Sequence, residues 1–254
     1  MMELSDKEQV RYSRQLMLEQ VGFTGQKKLK QSKVLIIGAG GLGSPAALYL
    51  AASGIGHLTL IDDDKVELSN LQRQILYKVN HLGQDKVIAA QKSLLSLNNQ
   101  IECIGVVDKL AEHNAAKWIA SHDVVLDCSD NFATRYLVNQ HCVQLHKPLI
   151  SGAAIAIQGQ VVCIANHLQS HRDAQGCYQC LFPPSSAQEN LNCSNAGVFA
   201  PLLGIIGAMQ AQQCLNVLLD HDFQSQFIVF DAINFKQTRF NLTADEGCSI
   251  CRAP

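Results

Sequence analysis

Six residues, Gly38-Ala39-Gly40-Gly41-Leu42-Gly43, constrain this chain more than any other stretch. They follow a short β-branched run, Lys33 to Ile37 (KVLII), and open a segment of helical character, so the backbone must turn tightly and then wind. Ser44 reads as the N-cap of that helix with Pro45 at its first position, and Gly54 stops it just past Ala51-Ala52-Ser53. A second run, His57 to Ile61 (HLTLI), completes a strand-helix-strand unit. In such a unit the backbone N–H groups of the turn and the positive helix end can face a phosphate. Asp62 ends the second strand, about 20 residues beyond the glycines, where a carboxylate accepts hydrogen bonds from ribose hydroxyls. Gly38, Gly40, Gly41, Gly43 and Asp62 are therefore candidate nucleotide-binding residues. The default reading is an NAD-dependent oxidoreductase.

Further strands are expected at Ile101 to Val107, Val124 to Asp127, Pro148 to Ile150, Gln160 to Ile164 and Phe227 to Phe230. Helices are expected at about Gln84 to Leu97, Asn131 to His146 and Leu202 to Leu219. Strand and helix alternate to about Ile150, after which strands cluster around one long helix. The expected fold class is α/β: a Rossmann-like nucleotide-binding sheet, parallel in its N-terminal half and extended by antiparallel C-terminal strands. With 254 residues, 47% hydrophobic and 17% charged, the chain fits one such domain and is too apolar for a solvated disordered chain. The polar stretch from Asn166 to Asn195 reads as a functional loop or crossover within it.

The formal net charge is −2 with no basic block, so there is no electrostatic footprint for nucleic acid. The N-terminal MMELSDKEQVRYSRQ does not resemble a secretory signal. The apolar run from Ala196 to Met209 is interrupted by Pro201 and glycines and falls short of the roughly 20 residues a membrane helix needs. A cytoplasmic protein without membrane contact is expected.

The charges beyond Asp62 argue against the oxidoreductase. A dinucleotide needs a pyrophosphate cradle and a ribose carboxylate; extra cations belong where a triphosphate is held and charge moves onto a leaving group. Arg73, Lys86 and Arg14 are the candidates. Asp130 follows another strand, at the carboxyl edge where open α/β sheets bind ligands, and suits either Mg²⁺ or the N-cap of the next helix. Ten cysteines in a chain of this kind read as buried thiols, metal ligands or nucleophiles rather than as a disulfide framework. Cys177-Tyr178-Gln179-Cys180 and Cys248-Ser249-Ile250-Cys251 are two paired motifs suited to a closed structural Zn²⁺ site, with a redox disulfide as the alternative. Cys103, Cys128, Cys142, Cys163 and Cys214 lie in strand or helix patterns and read as small buried hydrophobes.

RYSRQ (Arg11 to Gln15), GAGGLGS (Gly38 to Ser44), DDDKVELSNLQRQ (Asp62 to Gln74), GQDK (Gly83 to Lys86), DCSDN (Asp127 to Asn131) and the paired cysteines occur in one order along nearly the whole chain. Together they resemble the MoeB/ThiF (HesA/MoeB/ThiF) family, bacterial relatives of the ubiquitin-activating enzymes. The resemblance implies one adenylyltransferase domain over residues 1–254, with a nucleotide-binding half at about 30–150 and a carrier-binding and zinc half at about 151–254. It implies ATP-dependent adenylation of the C-terminal glycine of a small ubiquitin-like sulfur carrier ending in Gly-Gly, with Mg²⁺, by a homodimer. A sulfur donor such as a cysteine desulfurase or rhodanese would follow. Gly41 is implied against the phosphates, Asp62 on the ribose, and Ser69, Asn70, Leu71, Gln72 and Arg73 along the nucleotide. Lys86 is implied on phosphate oxygens, Asp130 on magnesium with Asn131 beside it, and Arg14 in the neighbouring subunit's site. The resemblance also implies zinc on Cys177, Cys180, Cys248 and Cys251, and gives Cys193 as a possible sulfur-transfer thiol. Ser151-Gly152-Ala153-Ala154 and Ala200-Pro201-Leu202 look like the enzymes of molybdopterin synthesis, the main reading. The stretch from Cys177 to Pro183 and Asn192-Cys193 look like those of thiazole synthesis for thiamine, the alternative.

Overall fold

The computed structural model describes residues 3–168, 175–184 and 197–252. Three helices come first, α1 (Asp6–Arg11), α2 (Ser13–Leu16) and α3 (Gly22–Gln31). The alternating half follows: β1 (Lys33–Ile37), α4 (Gly43–Ser53), β2 (His57–Ile61), α5 (Lys86–Leu97), β3 (Glu102–Val106), α6 (Glu112–Ala120), β4 (Val124–Asp127), α7 (Phe132–Gln144) and β5 (Leu149–Ile155). The remainder is β6 (Gln158–Ile164), the single turn α8 (Tyr178–Leu181), the long α9 (Ala200–Leu218), β7 (Gln226–Asp231) and β8 (Lys236–Asn241). All eight strands form one sheet in the order β3-β2-β1-β4-β5-β6-β7-β8. Pairing is parallel from β3 to β5 and antiparallel from β5 to β8, as expected.

The parallel half is buried on both faces. Along β1, Val34 and Ile36 pack into one core with Ala46 and Leu50 of α4, Val87 and Leu94 of α5, and Ile206 of α9. Leu35 and Ile37 point the other way, into a second core with Ile119 of α6 and Val138 and Cys142 of α7. A sheet covered on both faces needs apolar residues at every strand position, which is why KVLII runs apolar without alternation. The apolar run before Met209 belongs to α9, which packs on α4 and the sheet. A Cβ at Gly207 would lie 2.6 Å from the Leu42 carbonyl oxygen, so the two helices approach at a distance only glycine permits. Among the described residues no helix is long and apolar enough to cross a membrane.

Three details depart from expectation. Ser44 is not the N-cap: its N–H already donates to the Gly40 carbonyl, α4 begins at Gly43 with Leu42 before it, and the Ser44 hydroxyl is buried without a partner among the described residues. Gly54 does close the helix, in a left-handed conformation at φ 82°. The strand β8 (KQTRFN) is mostly exposed, and an exposed edge strand carries polar residues instead of a readable alternation. The cap of α7 is Asn131, whose side chain accepts from the Thr134 N–H, which leaves Asp130 free of that task.

Candidate active site

The strand order reverses between β1 and β4. The register sets Ile37 beside both Ile61 and Asp127, so the loops leaving β1, β2 and β4 rise side by side. Open α/β sheets bind ligands at such a point. Here it holds a cleft of about 420 Å³ lined by Gly38, Gly40, Gly41, Asp62, Arg73, Lys86, Asp130 and Asn131 among others.

The glycine turn forms its floor. Gly38 is left-handed at φ 90°, and a Cβ there would lie 2.8 Å from the Cys128 carbonyl oxygen. A Cβ at Gly43 would lie 2.0 Å from the Gly38 carbonyl oxygen, a backbone clash with no flexible partner to give way. The N-terminal end of α4 therefore sits directly on the turn, with its positive pole toward the cleft. Asp62 braces the turn: one carboxylate oxygen accepts from the Ala39 N–H at 2.7 Å and the other from the Asp64 N–H at 2.9 Å. Burial raises its pKa above the ordinary carboxylate value, against the lowering pull of Lys86 and of the two N–H donors. Tyr77 braces the other side, its hydroxyl donating to the Ala39 carbonyl at 2.6 Å.

Charged side chains stand around this floor, Lys86, Arg73 and Asp130 among them. Lys86, at the first turn of α5, is 7% exposed and its Nζ lies 2.6 Å from an oxygen of Asp64. Arg73 lines the cleft with Nη1 donating to the Ser69 carbonyl at 3.0 Å. Asp130 stands exposed on the opposite wall, where the β4–α7 loop crosses the cleft. Gly43, Ser69, Asn70, Leu71 and Gln72 are not among the cleft's lining residues. Gly43 supports the turn from below. Asn70 is buried and accepts from the Glu67 N–H at 3.1 Å, closing a 3₁₀ turn that presents Arg73. Arg14 lies away from the cleft of its own chain. It is exposed on α2, and Gln15 beside it donates to the Ser53 carbonyl, at the end of α4 opposite the glycine turn. Cys193 lies outside the described residues.

The fold adds residues that sequence reading missed. Gln74 lines the cleft with a buried Oε1 that has no partner among the described residues, although it stands one residue after the predicted arginine. Arg135 of α7 reaches the cleft with a guanidinium that donates to the carbonyls of Ser129 at 3.0 Å and Gly152 at 3.2 Å. Gln210 of α9 donates to the carbonyls of Asp127 at 2.9 Å and Ile150 at 3.1 Å, pinning β4 to β5 beneath the site.

The four paired cysteines converge. Their sulfurs all lie within 4.8 Å of one another, with Cys177 to Cys248 at 3.7 Å, Cys177 to Cys180 at 3.9 Å and Cys180 to Cys251 at 3.4 Å. Four sulfurs at roughly 2.3 Å from one central ion form a tetrahedron with edges of about 3.8 Å, so the cluster has the dimensions of a closed metal site. The other described cysteines are buried. Burial pushes the thiols of Cys103 and Cys163 up to about 12 and raises those of Cys128, Cys142 and Cys214 as well, which keeps them protonated and unreactive.

Residues 12–250 match the ThiF family. The molybdopterin-synthase adenylyltransferase of Escherichia coli (strain K12) is 41% identical over 253 residues, 99% of each chain. The sulfur carrier protein ThiS adenylyltransferase of the same organism is 40% identical over 249 residues, 98% of this chain and 97% of that one. The adenylyltransferase and sulfurtransferase MOCS3 of Culex quinquefasciatus is 42% identical over 231 residues, 90% of this chain but 51% of that relative. The chain thus spans about half the length of the latter. Among solved structures, E. coli MccB with ATP superimposes with a TM-score of 0.78 at 25% identity, covering 95% of this chain and 74% of that one.

Proposed function

The chain belongs to the ThiF family, and from that premise we propose that it adenylates the C-terminal glycine of a small ubiquitin-like sulfur carrier ending in Gly-Gly, using ATP. One observation carries the reading: a buried lysine and an arginine share with a glycine-floored helix end a cleft that the exposed carboxylate of Asp130 also lines. An oxidoreductase that only cradles a dinucleotide has no use for that extra charge, whereas transfer of an adenylyl group does.

In this reaction the carrier carboxylate, ionised at neutral pH, is the nucleophile, so no general base is needed. Its oxygen bonds to the α-phosphorus as the bond to the bridging oxygen breaks and pyrophosphate leaves. The chain's task is alignment and charge neutralisation, and holding both reactants in one cleft can remove roughly 7–11 kcal/mol of barrier. The N–H groups of the turn at Gly38, Gly40 and Gly41 take the phosphates. Asp62 takes the ribose, and Lys86 and Arg73 take the negative charge that grows on the transferring group and the leaving pyrophosphate. The role of the Ser69 to Gln72 turn is to present Arg73. Asp130, with Asn131 beside it, fits Mg²⁺ through its exposed hard oxygens; the ion would add further charge neutralisation. Arg14 cannot serve its own cleft and acts in the second subunit of a homodimer.

Four thiolates at tetrahedral spacing, with no ligand position left open, fit Zn²⁺ in a structural role on Cys177, Cys180, Cys248 and Cys251. In this reading residues 30–150 form the nucleotide half of one domain and residues 151–254 the carrier and zinc half. Cys193 is the candidate thiol for a later sulfur transfer from a cysteine desulfurase or rhodanese. The carrier is that of molybdopterin synthesis, with the thiazole carrier as the alternative. Pyrophosphate exchange into ATP that depends on an added Gly-Gly-ended carrier is the expected result, and supplying each carrier in turn separates the two pathways. NADH binding without ATP binding would refute the reading in favour of an oxidoreductase.

A further inference from the structure

Arg135 is a buried cation that belongs to neither the cradle nor the cysteine cluster, yet it touches the surroundings of both. Its Nη2 holds the Ser129 and Gly152 carbonyls, and its Nη1 donates to the Tyr178 hydroxyl at 3.2 Å. Ser129 is clamped from its other side by Asp127, whose Oδ1 accepts from the Ser129 N–H at 3.0 Å and hydroxyl at 2.6 Å. Asp127 is itself fully buried, and its second oxygen accepts from the Ser151 hydroxyl at 2.7 Å. The residue after this clamp is Asp130. Where Ser129 sits thus determines where the cleft's exposed carboxylate stands.

Tyr178 carries the other end. It is 1% exposed, follows Cys177 directly, and lies in the single helical turn that separates Cys177 from Cys180. Its N–H donates to Asn139 Oδ1 at 2.9 Å, and its ring packs 5.0 Å from Phe182 and 6.0 Å from Tyr136, centroid to centroid. The turn that aligns two of the four sulfurs is therefore the turn that aims the hydroxyl at Arg135.

We propose that Arg135 is a positioning residue for the nucleotide cleft and that Tyr178 couples it to the four-cysteine cluster, so that the state of the cluster is read out as affinity for ATP. The proposal rests on the assignments of nucleotide to the cleft and metal to the cysteines. Only part of one hydrogen bond to a charged donor reaches the cleft, since Arg135 keeps its bonds to the Ser129 and Gly152 carbonyls when Tyr178 is lost.

The test is calorimetric binding of ATP with Mg²⁺ to purified, metal-replete protein. Tyr178→Phe removes only the hydroxyl and keeps the ring; its Kd should rise about three- to tenfold with unchanged zinc content. Arg135→Lys keeps the charge but loses the fork and should lose more than Tyr178→Phe. Stripping zinc from the unaltered protein should raise Kd to the level of Tyr178→Phe, and stripping the variant should add nothing, the signature of one shared path. An unchanged Kd for Tyr178→Phe, or equal losses on stripping in both proteins, would overturn the coupling. If the stripped chain unfolds, an unchanged Kd for metal-replete Tyr178→Phe still overturns the coupling. Absence of ATP binding by the unaltered protein would overturn the nucleotide assignment as well, so the two failures are distinguishable.

Discussion

Replacing Lys86 with methionine isolates one charge, because methionine keeps an unbranched stem of similar reach in a site where the lysine side chain is 7% exposed. Two effects oppose each other. For catalysis, a unit charge about 4 Å from a phosphate oxygen interacts by about 4 kcal/mol at an effective dielectric of 20, and loss of one preorganised donor to a developing oxyanion typically costs about 2.7–4 kcal/mol. Adenylation should fall by about 10²–10³. For stability, the partner Asp64 is 68% exposed, so the pair is screened and contributes at most about 1 kcal/mol, while removal of a buried ammonium relieves its desolvation. The melting midpoint should therefore stay within about 3 °C or rise. Carrier-dependent pyrophosphate exchange measures the first effect and thermal unfolding of the same preparation the second. A rate within threefold of the parent would refute the charge-neutralising role. A loss of more than about 3 kcal/mol in stability would refute the description of the Lys86–Asp64 pair as a weak one.

Gly43→Ala sets a Cβ 2.0 Å from the Gly38 carbonyl, so the turn must open; ATP binding should be lost and stability should drop by about 1–3 kcal/mol in urea titrations. Cys248→Ser should leave the purified protein without its zinc and lower its melting point, while the surviving folded fraction turns over like the parent at saturating ATP, as metal analysis beside a melt and a rate assay would record; full metal content would refute the assignment. Arg14→Ala and Lys86→Met proteins, inactive apart, should regain part of the activity when subunits are exchanged, since one cleft of a mixed dimer keeps its own Lys86 and receives the partner's intact arginine; no gain after verified exchange would refute action in trans. His122 is buried, with Nδ1–H donating to the Trp118 carbonyl and Nε2 accepting from the Thr59 hydroxyl, and burial holds its pKa below the ordinary histidine value. The unfolded chain takes up that proton first, so stability is fully present above about pH 6.5 and falls as the pH drops below it. Urea midpoints between pH 7.5 and 5 should show a shallower decline in His122→Gln than in the parent.

Features that depend on short spacing could be read from the chain directly. A tight turn into a helix needs its glycines within six residues, so the cradle was legible, as were Asp62 at the next strand's end and the two cysteine pairs, each confined to one turn of backbone. The first two parallel strands were legible for the same reason, in the short β-branched runs at Lys33 to Ile37 and His57 to Ile61. Polar elements were not: α6 and the edge strand β8 have no pattern strong enough to announce them, because few of their residues enter a core. Ser44 misled because its cap signal is local, whereas its hydroxyl was buried by the packing of α4 on the turn.

Which distant residues meet is settled by the order of strands in the folded sheet. Arg135, Gln210 and Tyr178 are an ordinary arginine, glutamine and tyrosine in the chain, and they gain significance because β4 and β5 bring the Ser129 and Gly152 carbonyls within reach of one guanidinium. The same holds for the cluster of four sulfurs, where pairing within each motif is local but convergence of the two motifs depends on Gly176 and Thr243 meeting closely enough that a Cβ would lie 2.3 Å from the Thr243 carbonyl oxygen. Hydrogen bonds and metal ligands act over about 3 Å, and separation along the chain carries no information about that distance until the sheet order has been set.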